Sequence, residues 1–266
     1  MVNVLVVLLC MMIMLTACKG GDTESTQGTE TSANEVGGSV SGDTTAAETE
    51  EPTTEESTTE EPTTEEPTTE EPTTEEPVEY IVWLDAGHGG KKGATSTLDG
   101  RIESHDTLRL TLAIQRELEK YDHVTVLMTR TEDVDVANKE RPLRANAAGA
   151  DLFVSIHRNS SVSGEKYGVE GWIDKNDPAD SRAAAQMMLD AMEAVGITQN
   201  CGVKTGSWDE PDVNYTVIEY AEMPAVLLEV GYLNYARDNE LFDTHLDGYG
   251  KAIAGAIYDW LTQWVD

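Results

Sequence analysis

The chain has 266 residues and carries 50 acidic against 18 basic side chains, a net charge of −32 at pH 7. That length allows one domain of ordinary size plus a substantial extra segment, and the charge argues against nucleic acid as a partner, because duplex binding needs a basic surface to displace counterions. The charge also divides the chain: 18 acidic residues stand against one lysine between Lys19 and Val78, whereas Glu79 onward carries 32 acidic and 17 basic residues.

Residues 1–17 hold no charged side chain and run from Val4 to Leu15 almost entirely in apolar residues. Such a run is too short to span a bilayer comfortably and reads as an export signal. Leu15-Thr16-Ala17-Cys18 resembles the bacterial lipobox, in which a small residue precedes a cysteine that is acylated and becomes the mature N-terminus. The resemblance implies lipidation at Cys18 and a membrane lipoprotein facing the cell wall; Met1-Val2-Asn3 departs from it by lacking the usual Lys or Arg. Residues 18–78 follow as a linker. From Glu50 to Pro77 the unit Glu-Glu-Pro-Thr-Thr repeats, with Ser57 once in place of Pro. The repeat has no apolar group to bury, so nothing offsets the entropy of ordering it, and a disordered acidic spacer is expected. Frequent proline and mutually repelling glutamates favour an extended chain of about 3.1 Å per residue, so the linker reaches on the order of 100 Å or more.

The folded domain is expected over 79–266. Tyr80 to Leu84 is an apolar run too short for a helix; it predicts a strand buried on both faces, ended by Asp85, Gly87, Gly89 and Gly90. Leu110, Ile114 and Leu118 fall at helical spacing in a helix beginning near Thr107. His123 to Thr129 predicts a second strand, and 138–149 a short helix that Pro142 starts or kinks. Leu152 to Ile156 and Val169 to Ile173 predict the third and fourth strands. Asp180 is a candidate cap for a helix with Ala185, Met188, Leu189, Met192 and Val195 on one face and Gly196 at its end; the methionine pair belongs in the core. Cys10 lies in the signal and Cys18 at the acylation site, which leaves Cys201 as the one cysteine of the domain and no disulfide within it. No histidine motif surrounds Cys201, so it reads as structural rather than nucleophilic. Tyr215 to Tyr220 and Ala225 to Val230 predict two more strands, and Ile253, Ile257, Leu261 and Trp264 mark a final amphipathic helix. The expected fold class is α/β, a single catalytic domain with a mostly parallel or mixed central sheet covered by helices.

Three of these strands lead into residues that bind metal or move protons. Tyr80–Leu84 leads to His88, Leu152–Ile156 to His157, and the strand from Ala225 to Glu229. If they run parallel, their carboxyl ends share one edge of the sheet, where open α/β sheets collect ligands, and the three side chains converge. His105, His123 and His245 follow no such strand and are expected at the surface. Glu103 lies just ahead of the first helix, where a carboxylate also complements the helix dipole. Two histidines and one carboxylate suit catalytic zinc, which keeps a fourth position open. A second carboxylate outside that set can accept and relay a proton.

The motifs go further. Asp85 to Gly90 (Asp-Ala-Gly-His-Gly-Gly), Glu103 followed five residues later by Leu108, Met128-Thr129-Arg130, Arg141 to Asn146, Ser155 to Asn159 and Pro224 to Tyr232 match in order and approximate spacing. Over about residues 80–264 the chain resembles zinc-dependent N-acetylmuramoyl-L-alanine amidases. The resemblance implies Zn2+ held by His88, Glu103 and His157, with Glu229 as the catalytic residue. It further implies a peptidoglycan hydrolase that cuts the amide between N-acetylmuramic acid and L-alanine. A wall-binding lipoprotein without activity and a zinc peptidase acting on stem peptides are the alternatives, and an unidentified activator protein is left open as a further partner. Arg158 where a small residue is usual, Tyr232 in place of Phe, and Asn234-Tyr235 depart from the family pattern; none removes a catalytic group, and all bear on substrate contacts. Arg130 and Arg141 are expected in structural ion pairs rather than as clamps on a substrate carboxylate.

Overall fold

The computed structural model of the chain describes residues 78–90 and 92–265; the expectations placed on the signal, Cys18 and the repeat lie outside the described residues. The apolar runs form six strands: β1 (Tyr80–Ala86), β2 (Val124–Met128), β3 (Leu152–Asn159), β4 (Val169–Ile173), β5 (Asn200–Thr205) and β6 (Ala225–Tyr232). They make one sheet in the order β2-β1-β3-β6-β4-β5. β2, β1, β3 and β6 are parallel, β4 is antiparallel to β6, and β5 is parallel to β4. The sheet is therefore mixed, and its four parallel strands end on a common edge.

Alternation along the strands gives each face its own core. Val82, Leu84, Val154, Ile156, Val226 and Leu228 point to one face, where they meet α1 (Glu103–Leu118), α3 (Ala179–Val195) and α5 (Ala236–Trp264) through Leu110, Ile114, Met188, Met192, Ile253 and Ile257. Trp83, Phe153, Trp172 and Leu227 point to the other, under the shorter α2 (Glu140–Ala148) and α4 (Thr216–Glu219). The second cover is thin, and it leaves the far end of that face open.

The elements differ from the sequence expectations at several points. Tyr215–Tyr220 is not a strand: both edges of β6 are already taken by β3 and β4, so the segment turns as α4 and lays Val217 and Ile218 on the sheet face. β5 carries no alternating pattern and is half-buried at every position, so its pairing to β4, rather than its composition, makes it a strand. α1 starts at Glu103, with Glu103 and Asp106 in its first turn, and α5 starts well before its apolar stripe and leaves Trp264 46% exposed. Pro178 stands at the N-cap of α3, where no side chain caps the helix, and Asp180 lies in its first turn. Cys201 is half-buried on β5, with its sulfur 3.6 Å from the Tyr167 carbonyl oxygen.

Candidate functional site

β1, β3 and β6 bring their carboxyl ends together because all three are parallel neighbours. In register, Asp85 pairs with Ser155, and His157 pairs with Glu229. Asp85, Ser155, His157 and Glu229 all fall on the thinly covered face. His88 enters from the turn after β1, and Glu103 from the first turn of α1.

Three candidate ligands converge. Glu103 Oε1 lies 3.1 Å from His88 Nε2 and 3.1 Å from His157 Nδ1, and one ligand atom from each of the three residues falls within 4.8 Å of the others. The two rings meet edge to face at a centroid distance of 4.8 Å. Glu103 is buried and its second oxygen accepts the Ala94 N–H at 2.8 Å. Burial alone raises the pKa of this carboxyl, but hydrogen bonds from His157 and His88 and their charge outweigh it and hold it well below the usual carboxylate range.

The backbone makes room for the rings. A Cβ on Gly87 meets the His157 ring at 2.5 Å, and one on Gly93 meets the His88 ring at 2.9 Å and Glu103 Oε2 at 3.2 Å. His88 itself adopts φ 58°, a conformation that costs a non-glycine residue energy and that clusters at functional sites. Two imidazoles and one carboxylate, close enough to share one ion and half-open to a cleft, fit a tetrahedral metal such as zinc with a position left over.

Glu229 stands across the sheet from His157 and lines the same cleft of about 340 Å³, together with His88, Asn159, Tyr215 and Thr216. Among the described residues its Oε2 is the buried side-chain polar atom with no hydrogen-bond partner. Burial pushes the Glu229 carboxyl well above its ordinary range, and the charges of Glu103 and Glu170 push it further, against the opposing pull of Arg158 and Lys204. A carboxyl that keeps a buried oxygen unsatisfied beside three metal-type ligands is poised to exchange a proton.

The supporting residues also become clear. Asp85 accepts from Arg141 at 2.8 Å and from the Ser155 hydroxyl at 2.6 Å, tying β1, β3 and α2 beneath the site. Arg141 further donates to the carbonyls of Ala86, His88 and Val136, so it does form the expected structural pair. Arg130 does not: its donors go to the carbonyls of Ala86, Gly87, Ser104 and Glu132, and it staples the end of β1 to α1 through backbone acceptors. The Arg158 side chain turns to the opposite face, where it pairs with Asp106 at 2.6 Å, donates to Asn239 at 2.7 Å and lies 4.2 Å from the Phe242 ring centroid. That unusual arginine joins β3 to α1 and α5 through its guanidinium, although the residue also borders the cleft. Asn234 donates to Thr97 and accepts from Ser160, linking three loops around the rim. His105, His123 and His245 lie outside the cleft, near Asp133, Glu79 and Tyr249.

Glu170 was not singled out from the sequence. It is buried on β4 directly across from Glu229 and accepts from Asn159 at 2.9 Å and Trp172 at 3.1 Å, with Lys204 also in contact. The signal was there, an acidic residue inside the short apolar run Val169–Ile173.

The chain matches the model of the N-acetylmuramoyl-L-alanine amidase family over residues 82–263. It is 32% identical over 160 residues to the N-acetylmuramoyl-L-alanine amidase CwlM of Bacillus licheniformis, a match covering 60% of this chain and 59% of that relative. Among solved structures it resembles the catalytic domain of CwlV, an N-acetylmuramoyl-L-alanine amidase from Bacillus (Paenibacillus) polymyxa var. colistinus, with TM-score 0.61, 34% identity, and coverage of 69% of this chain and 98% of that one. An N-acetylmuramoyl-L-alanine amidase from Clostridium difficile 630 superposes with TM-score 0.64 at 28% identity, covering 70% and 98%.

Proposed function

This chain belongs to the N-acetylmuramoyl-L-alanine amidase family, and from that premise we propose that it is a zinc-dependent peptidoglycan hydrolase that cuts between N-acetylmuramic acid and L-alanine. The observation that carries the reading is the meeting of His88, Glu103 and His157 beside a half-buried Glu229 whose buried Oε2 has no partner among the described residues. His88, Glu103 and His157 hold the ion; when bound there, zinc supplies Lewis acidity at the scissile carbonyl and makes the attacking water easier to deprotonate.

The protein's own groups do the rest. Glu229, in its ionised form, takes a proton from the water that attacks the carbonyl, and its raised pKa makes it a strong acceptor. The same property makes the protonated carboxyl an effective donor to the departing nitrogen of L-alanine, so one residue serves as base and then as acid. Arg141, Asp85 and Ser155 hold the strand ends beneath these groups, and Tyr215 and Thr216 line the cleft beside them.

The further proposals concern the residues before the domain. Export by the 1–17 signal, acylation of Cys18 and a disordered linker at 18–78 make a membrane-anchored enzyme whose domain, 79–266, reaches the wall on an acidic tether. An activator protein remains compatible with this arrangement.

The test is mass spectrometry of purified peptidoglycan incubated with the zinc-loaded full chain. New L-alanine amino termini with intact stem peptides are expected. Cleavage inside the stem peptides points instead to a peptidase, and binding without new termini, at full zinc occupancy, to a wall-binding module; either result overturns the proposal.

A further inference from the structure

Beyond Tyr215, on the β5 side of the cleft, a second set of side chains is organised and lies outside the reacting centre. Trp208 is 47% exposed, large and aromatic, on the loop 206–214. The loop is held from several sides. Gly206 donates to the Ile173 carbonyl, the Ser207 hydroxyl to the Glu210 carbonyl, and the Trp208 N–H to the Tyr215 hydroxyl at 3.3 Å, while Asn214 accepts the Lys175 N–H at 2.7 Å. An exposed indole so fixed has already lost the freedom that binding normally costs.

Two ammonium groups flank its ring. Lys166 Nζ stands 3.7 Å and Lys204 Nζ 5.5 Å from the Trp208 centroid, and Trp172 meets the indole edge to face at 6.4 Å. Lys204 is neutralised by Glu170. Lys166 has no carboxylate within ion-pair distance among the described residues, although Asp209, Glu210 and Asp212 lie on the neighbouring loop and the domain as a whole is acidic. A ring covered by an ammonium does not present the bare face on which a sugar stacks. What it presents is an unneutralised positive charge fixed beside apolar surface, the complement of a carboxylate on a short aliphatic chain.

Its distance from the reacting centre is informative. Glu170 is opposite Glu229, Trp172 lies two positions further along β4 or about 6.5 Å away, and Trp208 is 6.4 Å beyond that. Laid end to end these steps reach roughly 13 Å from Glu170, so the shelf lies within reach of a few extended residues from the reacting centre. We propose that Lys166 and Trp208 form a subsite for the carboxylate of the stem-peptide residue that follows L-alanine, and that this subsite selects stem peptides in which that carboxyl is free over those in which it is amidated. The inference rests on the amidase reading and deepens it, naming the part of the substrate that the cleft recognises.

The experiment uses the zinc-loaded full chain and two muramoyl tripeptides identical except for a free or amidated α-carboxyl on the second residue. Wild type is expected to show a KM lower by roughly threefold to tenfold for the free acid, the range of one partly exposed charge pair. Lys166→Ala and Trp208→Ala should raise that KM by the same factor, leave kcat within about twofold, and barely change KM for the amide; Lys166→Arg should restore the preference. Calorimetric titration of the Glu229→Gln variant with both peptides measures the same ratio without turnover. If neither peptide is cleaved, the amidase reading fails while the binding ratio still decides the subsite. Equal affinity for acid and amide, or variants that weaken both alike, overturns the proposal.

Discussion

Glu229 combines two properties that separate at the level of a single side chain. A general acid/base group contributes about 10² to 10⁴ in rate, so in the proposed role Glu229→Gln should lose that factor in kcat while keeping zinc and fold; turnover, metal content and melting on one preparation check this. As a half-buried acid with a raised pKa it also shapes stability. Burial and the charges of Glu103 and Glu170 raise its pKa in the folded protein above the ordinary value of 4.5 that the unfolded chain shows. Below that range both states are protonated and the group has no effect. As pH rises above it, the unfolded chain gives up the proton that the folded protein keeps, so stability falls with pH until the raised folded pKa is passed. With metal removed by a chelator, the wild-type melting temperature should drop between pH 5 and pH 8 more steeply than that of Glu229→Gln. Equal slopes would contradict the buried, raised carboxyl. With His88, Glu103 and His157 as the proposed ligand set, Glu103→Ala should abolish zinc retention measured by atomic absorption; full occupancy in that variant removes Glu103 from the set.

At the level of elements, the site depends on how α1 is held against β3. The Arg158–Asp106 pair is almost wholly buried, with Asn239 and the Phe242 ring completing the arginine's surroundings. Asp106 also accepts from Arg101 at 3.1 Å and from Arg109 at 3.2 Å, so losing Arg158 removes its most buried partner but not its last one, and the cost falls to about 3 kcal/mol or less. Arg158→Met should therefore lower stability by roughly that amount in denaturant unfolding, and Arg158→Met with Asp106→Asn should recover part of it, because no charge is then stranded. A single variant as stable as wild type would mean that the pair does not join the two elements. Gly93 acts at the same scale: the loop from β1 to α1 passes so close to the His88 ring that a methyl group there meets it at 2.9 Å. Gly93→Ala, also strained by φ 97°, should weaken zinc binding by at least tenfold while the remaining sheet stays folded, as read by zinc titration and far-ultraviolet circular dichroism.

At the scale of the whole molecule, export and acylation are proposed for the residues that precede the described domain. If Cys18 is acylated, Cys18→Ala should move the protein from the membrane fraction to the medium or leave it unprocessed, since a multiply acylated cysteine binds bilayers firmly; a fully processed variant that stays with the membrane refutes anchoring. The sequence by itself determined the α/β class, the buried strands and the identity of His88, His157 and Glu229 as candidates, because an apolar run ending in a polar residue is a local pattern set by burial. It also determined that the repeat at 50–77 lacks the apolar groups a core needs. Tertiary structure alone decided what depended on neighbours. β5 is a strand because β4 offers it an edge, Tyr215–Tyr220 is a helix because β6 offers none, and β4 runs antiparallel, which sets Glu170 against Glu229. Arg130 and Arg158 found carbonyls and a buried carboxylate that no spacing announced. Pairing and burial are relations between distant segments, and the charge state of Glu229 follows from them: a carboxyl's pKa is set by what surrounds it, and those surroundings come from four different elements.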